Sequence, residues 1–256
     1  MEKVDRLNRP AQNRSLERGI SILRAFRPGA GVMGNSELAE RTGLSTATVS
    51  RLTQTLVKTG MLDYDWRERA YRLSAAVLSL GHAVTFGSPI LGLATPHMRQ
   101  LAEERKVNIG IATRDGDEMV YLEVIRFNRK TSHRNVVAGH RVPMESTSLG
   151  RAYLATLSIA DRKTQLKALA HKHASEWSSL KEDIQRSVEM VKDLGYCTVD
   201  SWQPGAIALA TPLRFKHHPT HVLNVSISTQ EREPAIAREL AQELMNIAAM
   251  ITAGES

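Results

Sequence analysis

The sequence has 256 residues, of which 42% are hydrophobic, and its formal net charge is +7. This composition is ordinary for a globular protein of one or two domains that buries a core. No apolar run reaches the length of a membrane span and no signal segment opens the sequence, so we expect a cytoplasmic protein with no membrane partner. The single cysteine, Cys197, excludes an internal disulfide and agrees with a reducing compartment.

The start of the chain is predicted to form an arm and then a helix. Residues 1–13 contain Pro10, two asparagines and several charges but nothing to bury, which indicates a mobile arm. A helix is expected to follow, with Ser15 as its cap. Its apolar face is predicted from three- and four-residue spacing to be Leu16, Ile20, Leu23 and Phe26.

Asn35–Leu56 is the most informative stretch, because it lays out a helix, a glycine turn and a second helix. We expect Asn35 or Ser36 to cap the first helix, and Gly43 to end it in the left-handed conformation. Ser45 is then the expected cap of the second helix. The residues of the second helix that recur at helical spacing, and are expected to be buried, are Val49, Leu52 and Leu56.

The rest of the second helix presents mostly short side chains with hydrogen-bonding tips, together with one guanidinium. Such a face fits against base edges and phosphates in a DNA major groove. The alternative is an ordinary helical hairpin with a solvated face. The predicted DNA-contacting residues on this face are Ser45, Thr46, Ala47, Thr48, Ser50, Arg51, Gln54 and Thr55.

A short hairpin is predicted directly after the second helix. Apolar and polar residues alternate on both sides of the charged loop Asp65–Arg69, so that three helices and a hairpin make a winged-helix domain. Arg67 and Arg69 at the tip are candidate phosphate or minor-groove contacts, with a solvated surface charge as the alternative for each. Residues 1–80 carry 13 lysines and arginines against 8 acidic residues, whereas the remaining residues carry 21 against 19. Most of the net positive charge therefore lies where DNA would bind.

The period of the apolar residues changes along the rest of the chain. Residues 75–89 are predicted to form an apolar linker helix that pairs with a second subunit or, alternatively, packs on the second domain. The other expected helices are Ile90–Lys106, Ser146–Leu157 behind a capping serine, Asp161–His171, Ser178–Leu194 and Glu233–Thr252. The expected strands lie around Val107–Ile111, at Met119–Ile125, within 136–144 and at Ala206–Leu213 and His221–Ser228. This order predicts an antiparallel sheet with helices packed on it.

Several segments together carry a resemblance to a known family. They are SLERGISILRAF at Ser15–Phe26, ELAERTGLSTATVSRLTQTLVKTGML at Glu37–Leu62, YRL at Tyr71–Leu73, VPMESTSLGRAYLA at Val142–Ala155, LGYCTV at Leu194–Val199, GAIALATPL at Gly205–Leu213 and NVSIS at Asn224–Ser228. By their order and spacing, the chain resembles the IclR family of bacterial transcriptional regulators nearly from end to end.

That resemblance implies an α+β fold class with three parts. A winged helix-turn-helix DNA-binding domain would span 14–74, a linker helix 75–89, and an effector-binding and oligomerisation domain 90–256. The last would be GAF-like, with an antiparallel sheet flanked by helices. The resemblance also implies that the protein binds double-stranded, palindromic operator DNA as a homodimer or tetramer, and that it responds to a small organic acid.

The resemblance further places the effector pocket between the sheet and the helix that opens at 148–150. N–H groups at a helix start suit a carboxylate, and two serines that stand two apart on one strand share a face. The effector-binding residues implied in this way are Ser148, Leu149, Gly150, Asp200, Ala208, Ser226 and Ser228. The alternative is that Ser148 and Gly150 only cap a helix, and that the two serines face solvent or the covering helices.

Two departures from the family pattern bear on the ligand. DSWQPG at 200–205 replaces most of an acid-rich stretch, and Ala208 stands where many relatives carry a polar or thiol side chain. An apolar wall and an available tryptophan favour an aromatic acid. The candidate anion partners are Arg126, Arg134 and Arg141.

No catalytic or metal-binding pattern is recognised, and no cofactor is expected. The histidines lack a cysteine or carboxylate at ligand spacing, and the chain contains no nucleophile elbow, cysteine pair or phosphate-binding glycine loop. Cys197 is expected to be a small buried side chain rather than a redox sensor. Two alternatives stay open: a DNA-binding regulator with a degenerate pocket that acts without an effector, and a small-molecule-binding or enzymatic C-terminal domain.

Overall fold

The structure is a computed structural model that describes residues 13–27, 29, 31–127, 136–199, 206–228 and 234–254. It divides into two compact units, residues 1–84 and 85–256. Each unit has a hydrophobic core of its own. Of the segment predicted to be a mobile arm, only Asn13 lies within the described residues.

The first unit is built from three helices and a hairpin, followed by the beginning of a fourth helix. Its elements are α1 (Arg14–Ala25), α2 (Asn35–Thr42), α3 (Thr46–Lys58), β1 (Leu62–Asp65), β2 (Ala70–Leu73) and α4 (Ala75–Phe86). The first three helices and both strands contribute to one core, which consists of Ile22, Phe26, Met33, Leu38, Val49, Leu62 and Tyr71. This arrangement is the predicted winged helix-turn-helix.

The first helix differs from its prediction in its cap and in its buried face. Its cap is Asn13 rather than Ser15, because the Asn13 Oδ1 accepts the N–H of Leu16 at 3.1 Å. The core side of α1 is centred on Ile22, while Leu16 and Ile20 are exposed. The predicted apolar face was therefore wrong at its first two positions, since helical spacing alone does not say which of two adjacent apolar stripes is covered.

The turn between α2 and α3 has the predicted geometry. Gly43 has a φ of 68°, the left-handed conformation that glycine adopts without strain. The Ser45 Oγ accepts a backbone N–H three residues further on, at 3.4 Å. The start of α2 differs, because Gly34 occupies the cap position and makes no side-chain hydrogen bond. Asn35 and Ser36 are therefore the first residues inside the helix, not its cap.

The hairpin pairs with a third short segment of the chain. β1 and β2 are antiparallel, with Tyr64 opposite Tyr71. Tyr71 also exchanges two backbone hydrogen bonds with Met33, at 2.9 and 2.8 Å. This bridge was not predicted, since a single paired residue leaves no alternation in the sequence.

Helix α4 carries four large apolar side chains that are more than half exposed. These are Leu78, Leu80, Val84 and Phe86. No single helix in the described part of the chain is long and apolar enough to cross a membrane. One bent pair, α4 with Pro89–Arg105, meets that measure together, by length and composition only.

The second unit is a six-stranded sheet with helices. Its elements are α5 (Pro89–Arg105), β3 (Asn108–Asp115), β4 (Glu118–Arg126), β5 (Arg141–Pro143), α6 (Ser148–Thr156), α7 (Ile159–Lys172), α8 (Trp177–Leu194), β6 (Cys197–Val199), β7 (Ala206–Leu213), β8 (His221–Ser228) and α9 (Pro234–Ala253). All paired strands are antiparallel, in the order β5-β4-β3-β8-β7-β6. The fold class is therefore the α+β class predicted, with an antiparallel sheet flanked by helices.

Alternation along the strands divides this core into two layers. Ile109 and Val225 face one side, where they pack with α5 and α9. Ala112 and Val222 face the other side, where they pack with α6 and α8. The sheet is thus covered on both faces, and a bulge between Ile111 and Ala112 shifts the register of β3 against β4.

Most predicted bounds in this unit lie within two residues of the observed ones, and those of β7 and β8 agree in full. The cap of α6 differs, because the Thr147 Oγ1, not Ser146, accepts the N–H of Gly150, at 3.2 Å. Val136 and Val137 lie outside any strand. The short strand β6 was not predicted, since three residues are too few to show a period.

Candidate functional site

The outward face of α3 is polar and carries no acidic side chain. The eight residues of this face that were predicted to contact DNA are all exposed or half-buried, with Thr48 and Ser50 the half-buried pair. The buried residues of the same helix are Val49 and Thr53. Two side-chain hydrogen bonds order the face, one between the hydroxyls of Ser45 and Thr48 at 2.9 Å, and one from Gln54 to Ser50 at 3.5 Å.

Arg51 is the cation at the middle of this face. Its side chain is exposed, and its guanidinium makes no hydrogen bond or ion pair with another described residue. Five N–H donors are therefore available to a base edge or a phosphate. An arginine so placed can donate two parallel hydrogen bonds to guanine, which is the commonest base-specific contact in the major groove.

The tip of the wing is a turn held by one carboxylate. The Asp65 Oδ1 accepts the backbone N–H groups of Arg67 at 2.9 Å and Glu68 at 3.1 Å. Hydrogen bonds from Glu68 and Arg67, followed by the charge of Arg72, hold the pKa of Asp65 below its ordinary value. Arg69 ends the turn with a φ of 51°, a left-handed conformation that is uncommon for a residue other than glycine.

Trp66 stands at this tip and was not among the predicted DNA contacts. Its side chain is 82% exposed, and its ring meets Tyr64 edge to face, with 4.7 Å between the centroids. Burial in the core does not account for a tryptophan in this position. The available signal was an aromatic residue inside a loop otherwise composed of charged residues.

The second candidate site is a pocket on the α6 face of the sheet. Strand pairing aligns residues in rows across the sheet. One row consists of Arg126, Asn108, Ser226, Ala208 and Val199. The next row, two residues along each strand, contains Val124, Gly110 and Asn224. All eight residues line the pocket, which holds about 670 Å³ of empty space, part of it open to solvent.

The start of α6 forms the wall opposite the sheet. Thr147 caps the helix, and among the described residues the backbone N–H groups of Ser148 and Leu149 meet no hydrogen-bond acceptor. These two donors lie at the positive end of the helix dipole. Their position suits an anionic group that enters the pocket.

The structure brings four of the predicted effector-binding residues to one pocket: Ser148, Leu149, Ala208 and Ser226. Gly150 is buried and is not part of the lining; a Cβ atom on it would overlap the backbone of Met144. Ser228 is the last residue of β8 and pairs with Ala206. Asp200 lies outside the described residues.

The three arginines proposed as anion partners have different positions. Arg126 lines the pocket. Arg141 does not, because its guanidinium pairs with Asp115 and with Glu118, the latter at 2.8 Å. These carboxylates neutralise Arg141 and tie β5 to the turn after β3. Arg134 and the tryptophan at 202 lie outside the described residues.

Tyr121 and Asn224 are polar lining residues that sequence reasoning missed. Both are buried, and their side chains hydrogen-bond to each other. Burial raises the pKa of Tyr121, so its hydroxyl stays protonated at physiological pH. Nothing in the alternation of β4 or β8 distinguishes these two positions, because a buried polar residue interrupts an apolar pattern in the same way as an exposed one.

Arg151 was also missed, and it positions α6. It is buried, and its Nε donates to the backbone carbonyl of Glu145 at 2.8 Å. Its Nη atoms reach Ser187 at 3.5 Å and Asp183 at 3.6 Å on α8. The guanidinium thereby joins the loop before α6 to α8 and holds the helix start against the sheet.

Cys197 is buried, as expected. Its thiol lies 3.6 Å from the carbonyl oxygen of Ser148, and burial raises the pKa of Cys197 to about 12. A thiol that stays protonated is a poor nucleophile and a poor metal ligand. Among the described residues, no three or more histidine, cysteine, aspartate or glutamate side chains are grouped as metal ligands would be.

Comparisons with known proteins agree with both halves of this description. A model of the IclR helix-turn-helix domain matches residues 15–65, and a model of the bacterial transcriptional regulator IclR C-terminal domain matches residues 82–253. The HTH-type transcriptional regulator TsaQ1/TsaQ2 of Comamonas testosteroni is 31% identical over 242 residues, which cover 90% of this chain and 86% of the relative.

Solved structures have the same fold. The crystal structure of an IclR family transcriptional regulator from Brucella abortus is 31% identical, with a TM-score of 0.87, and the match covers 94% of this chain and 91% of that one. An IclR homologue from Microbacterium hydrocarbonoxydans, solved in complex with 4-hydroxybenzoate, is 19% identical with a TM-score of 0.71, over 93% of this chain and 98% of that one. These relatives are described as regulators or IclR homologues, not as enzymes. The chain belongs to the IclR family of transcriptional regulators, which combine a DNA-binding helix-turn-helix domain with a C-terminal effector-binding domain.

Proposed function

We propose that this protein controls transcription in the cytoplasm by binding a palindromic operator through residues 14–74 and a small organic acid through residues 90–256. The observation that supports DNA binding most directly is the outer face of α3, which has no acidic side chain and on which the Arg51 guanidinium pairs with no other described residue. The observation that supports binding of an organic acid is the pocket lined by Ser148, Leu149, Ala208 and Ser226.

In this proposal α3 enters the major groove and the wing holds the backbone beside it. Thr46, Ser50 and Arg51 read base edges. Arg67 and Arg69 contact phosphates, and Trp66 between the strands of the wing contacts the sugar edge or a base step in the minor groove. The exposure of Trp66 supports this role, since an aromatic wedge must reach beyond the protein surface.

A second copy of the chain is proposed to cover helix α4. Four large apolar side chains on one short helix are more than half exposed, and soluble proteins normally bury apolar surface of this extent against a partner. A two-fold dimer would present two α3 helices to two half-sites, which is why a palindromic operator is expected. A tetramer would be a pair of such dimers.

An aromatic acid is the proposed class of effector. The pocket combines apolar walls from Val124, Val136 and Val142 with the N–H donors at the start of α6. The Microbacterium homologue, of the same fold, holds 4-hydroxybenzoate. An aromatic ring would lie against the apolar wall while its carboxylate meets the donors.

Effector binding is proposed to act through a difference in affinity. A ligand shifts the DNA-binding equilibrium only if it binds the DNA-competent and incompetent arrangements with different free energies. By the same linkage, operator DNA must change the affinity for the effector by the same factor.

The proposal is tested by recovering the genomic fragments that the purified, full-length protein binds, at two salt concentrations. A shared palindrome, with binding that survives the higher salt, is the expected result. Weak binding without a common sequence, lost at higher salt, would contradict an operator.

A thermal-shift panel of aromatic and short aliphatic acids then tests the effector class. Stabilisation by the aliphatic acids alone would contradict an aromatic ligand, and no stabilisation by any acid would favour a regulator that needs no effector.

A further inference from the structure

The side chain of Asn224 holds a buried acceptor that meets no donor. Asn224 is only 7% exposed, and its Oδ1 makes no hydrogen bond within the described part of the chain. A buried amide oxygen without a partner has lost its hydration without compensation. Such atoms are rare in folded proteins, and each needs an explanation such as a bound water, ion or ligand. The atom belongs to a residue that lines the pocket.

The other end of the same amide is already occupied. Asn224 hydrogen-bonds to the hydroxyl of Tyr121, and this bond lowers the pKa of Tyr121 against the larger, opposite effect of burial. A bond that lowers the pKa of a phenol donates to its oxygen, so the amide nitrogen is the donor and the phenolic oxygen the acceptor. This bond orients the amide and leaves Oδ1 as its unsatisfied end. It also leaves the phenolic proton of Tyr121 for a second acceptor.

Gly110 keeps these two groups accessible from the pocket. It lies beside Asn224 in the register of β3 and β8. A Cβ atom at Gly110 would lie 2.5 Å from Cε1 of Tyr121 and 3.0 Å from the Oδ1 of Asn224. Any larger residue would displace the ring or cover the acceptor. Because residue 110 is a glycine, no side chain from β3 covers the unsatisfied oxygen at this point of the sheet.

We propose that Asn224 and Tyr121 form a subsite for a hydroxyl group of the effector, so that the ligand is a hydroxy-substituted organic acid. A hydroxyl has one proton to donate and two lone pairs to accept with. It would donate to the Oδ1 of Asn224 and accept from the phenol of Tyr121. The carboxylate of the ligand is then left to the N–H groups of Ser148 and Leu149. This inference rests on the proposed function, since it requires that the pocket bind an acid.

The test uses matched ligands on the full-length protein. Isothermal titration compares benzoate with 3-hydroxybenzoate, 4-hydroxybenzoate and 4-methoxybenzoate, and compares propionate with lactate as an aliphatic pair. At least one hydroxy acid is expected to bind about ten- to a hundredfold more tightly than its unsubstituted partner. The methoxy compound should show no such gain, because it offers no proton to Asn224.

Variants then assign the gain to the two residues. Asn224→Leu removes both the acceptor and the donor at nearly constant volume, and it should bind the hydroxy and unsubstituted acids equally. Tyr121→Phe should lose part of the preference. Asn246→Leu makes the same exchange on an exposed turn of α9, and it should keep the full preference. Melting temperatures of all three variants establish that they fold.

The outcomes separate this subsite from the proposed function. Tight binding of acids with no advantage for a hydroxyl, or a preference that survives in folded Asn224→Leu, would overturn the subsite while leaving the effector pocket intact. Absence of binding by all six acids would overturn the effector function itself, and the subsite with it.

Discussion

Gly150 lies against the backbone of Met144, so closely that a Cβ atom on the glycine would overlap the carbonyl oxygen and Cα of the methionine. The conformation of Gly150 is an ordinary helical one, so the requirement is for space and not for a left-handed φ. The close approach brings the loop at 144–147 over the first turn of α6, where Thr147 caps the helix. The N–H groups proposed to bind the effector owe their position to this contact.

Gly150→Ala is therefore expected to destabilise the second unit by about 3 kcal/mol or more, since backbone atoms cannot move aside as a flexible side chain does. Denaturant unfolding measures this loss. The control is Gly92→Ala on α5, where a Cβ atom would meet nothing within 4 Å. That variant should be neutral or more stable by about 0.5–1 kcal/mol, because alanine favours a helix. Equal stabilities of the two variants would show that α6 can shift.

Arg51→Ala is expected to weaken operator binding by about 1–3 kcal/mol and to relax sequence preference at one base position. The reason is that a guanidinium on α3 that no described residue engages can donate two hydrogen bonds to the edge of one guanine. Fluorescence anisotropy on the recovered operator and on single-base variants measures both effects. Arg99→Ala removes an exposed arginine from α5 and should change neither.

A loss that is the same for every DNA sequence would make Arg51 a phosphate contact instead. In that case the slope of log affinity against log salt concentration should also become less steep, by about one released counterion. Sequence dependence and salt dependence together distinguish a base contact from a phosphate contact at Arg51.

Local signals were sufficient to predict most elements of this fold. Gly43 and Ser45 identify the turn and the cap between α2 and α3, because left-handed geometry and N-capping depend on residues within a few positions of one another. Alternation identified β7 and β8 with their observed bounds. The caps of α1 and α6 were misplaced by one or two residues, since several neighbouring polar residues could each serve as a cap.

The pocket could be predicted only in part, because strand register joins residues that are distant in the sequence. Ser226 and Ala208 meet Asn108 and Arg126 in one row of the sheet, and no local pattern reports that alignment. The roles of Arg141 and Arg151 depend on their partners in the same way. One arginine is neutralised by two carboxylates and the other is buried against α8, whereas the sequence shows only two cations.

Trp66→Ala is expected to weaken DNA binding by about 1–3 kcal/mol, if the contact is worth as much as a base stacked on an aromatic side chain in single-stranded nucleic acid. The thermal stability of the protein should be almost unchanged, because the side chain is mostly exposed. Trp66→Phe should retain part of the affinity. Anisotropy and melting curves on the same preparations measure the two quantities. If Trp66→Ala instead lowers the melting temperature and leaves DNA affinity intact, the ring supports Tyr64 rather than DNA.

Cys197 is expected to be unreactive in the folded protein. Its thiol is buried and keeps its proton up to a pH of about 12, so at pH 8 the thiolate fraction is smaller than that of an exposed cysteine on the order of a thousandfold. Because burial raises this pKa, the neutral form is favoured at all lower pH values, and labelling by iodoacetamide should stay slow until the pH approaches that value or the protein unfolds. Labelling followed by mass spectrometry, with and without denaturant, measures this. Fast modification of the native protein at pH 8 would contradict a buried thiol and restore a redox role for Cys197, since oxidation begins from the same thiolate.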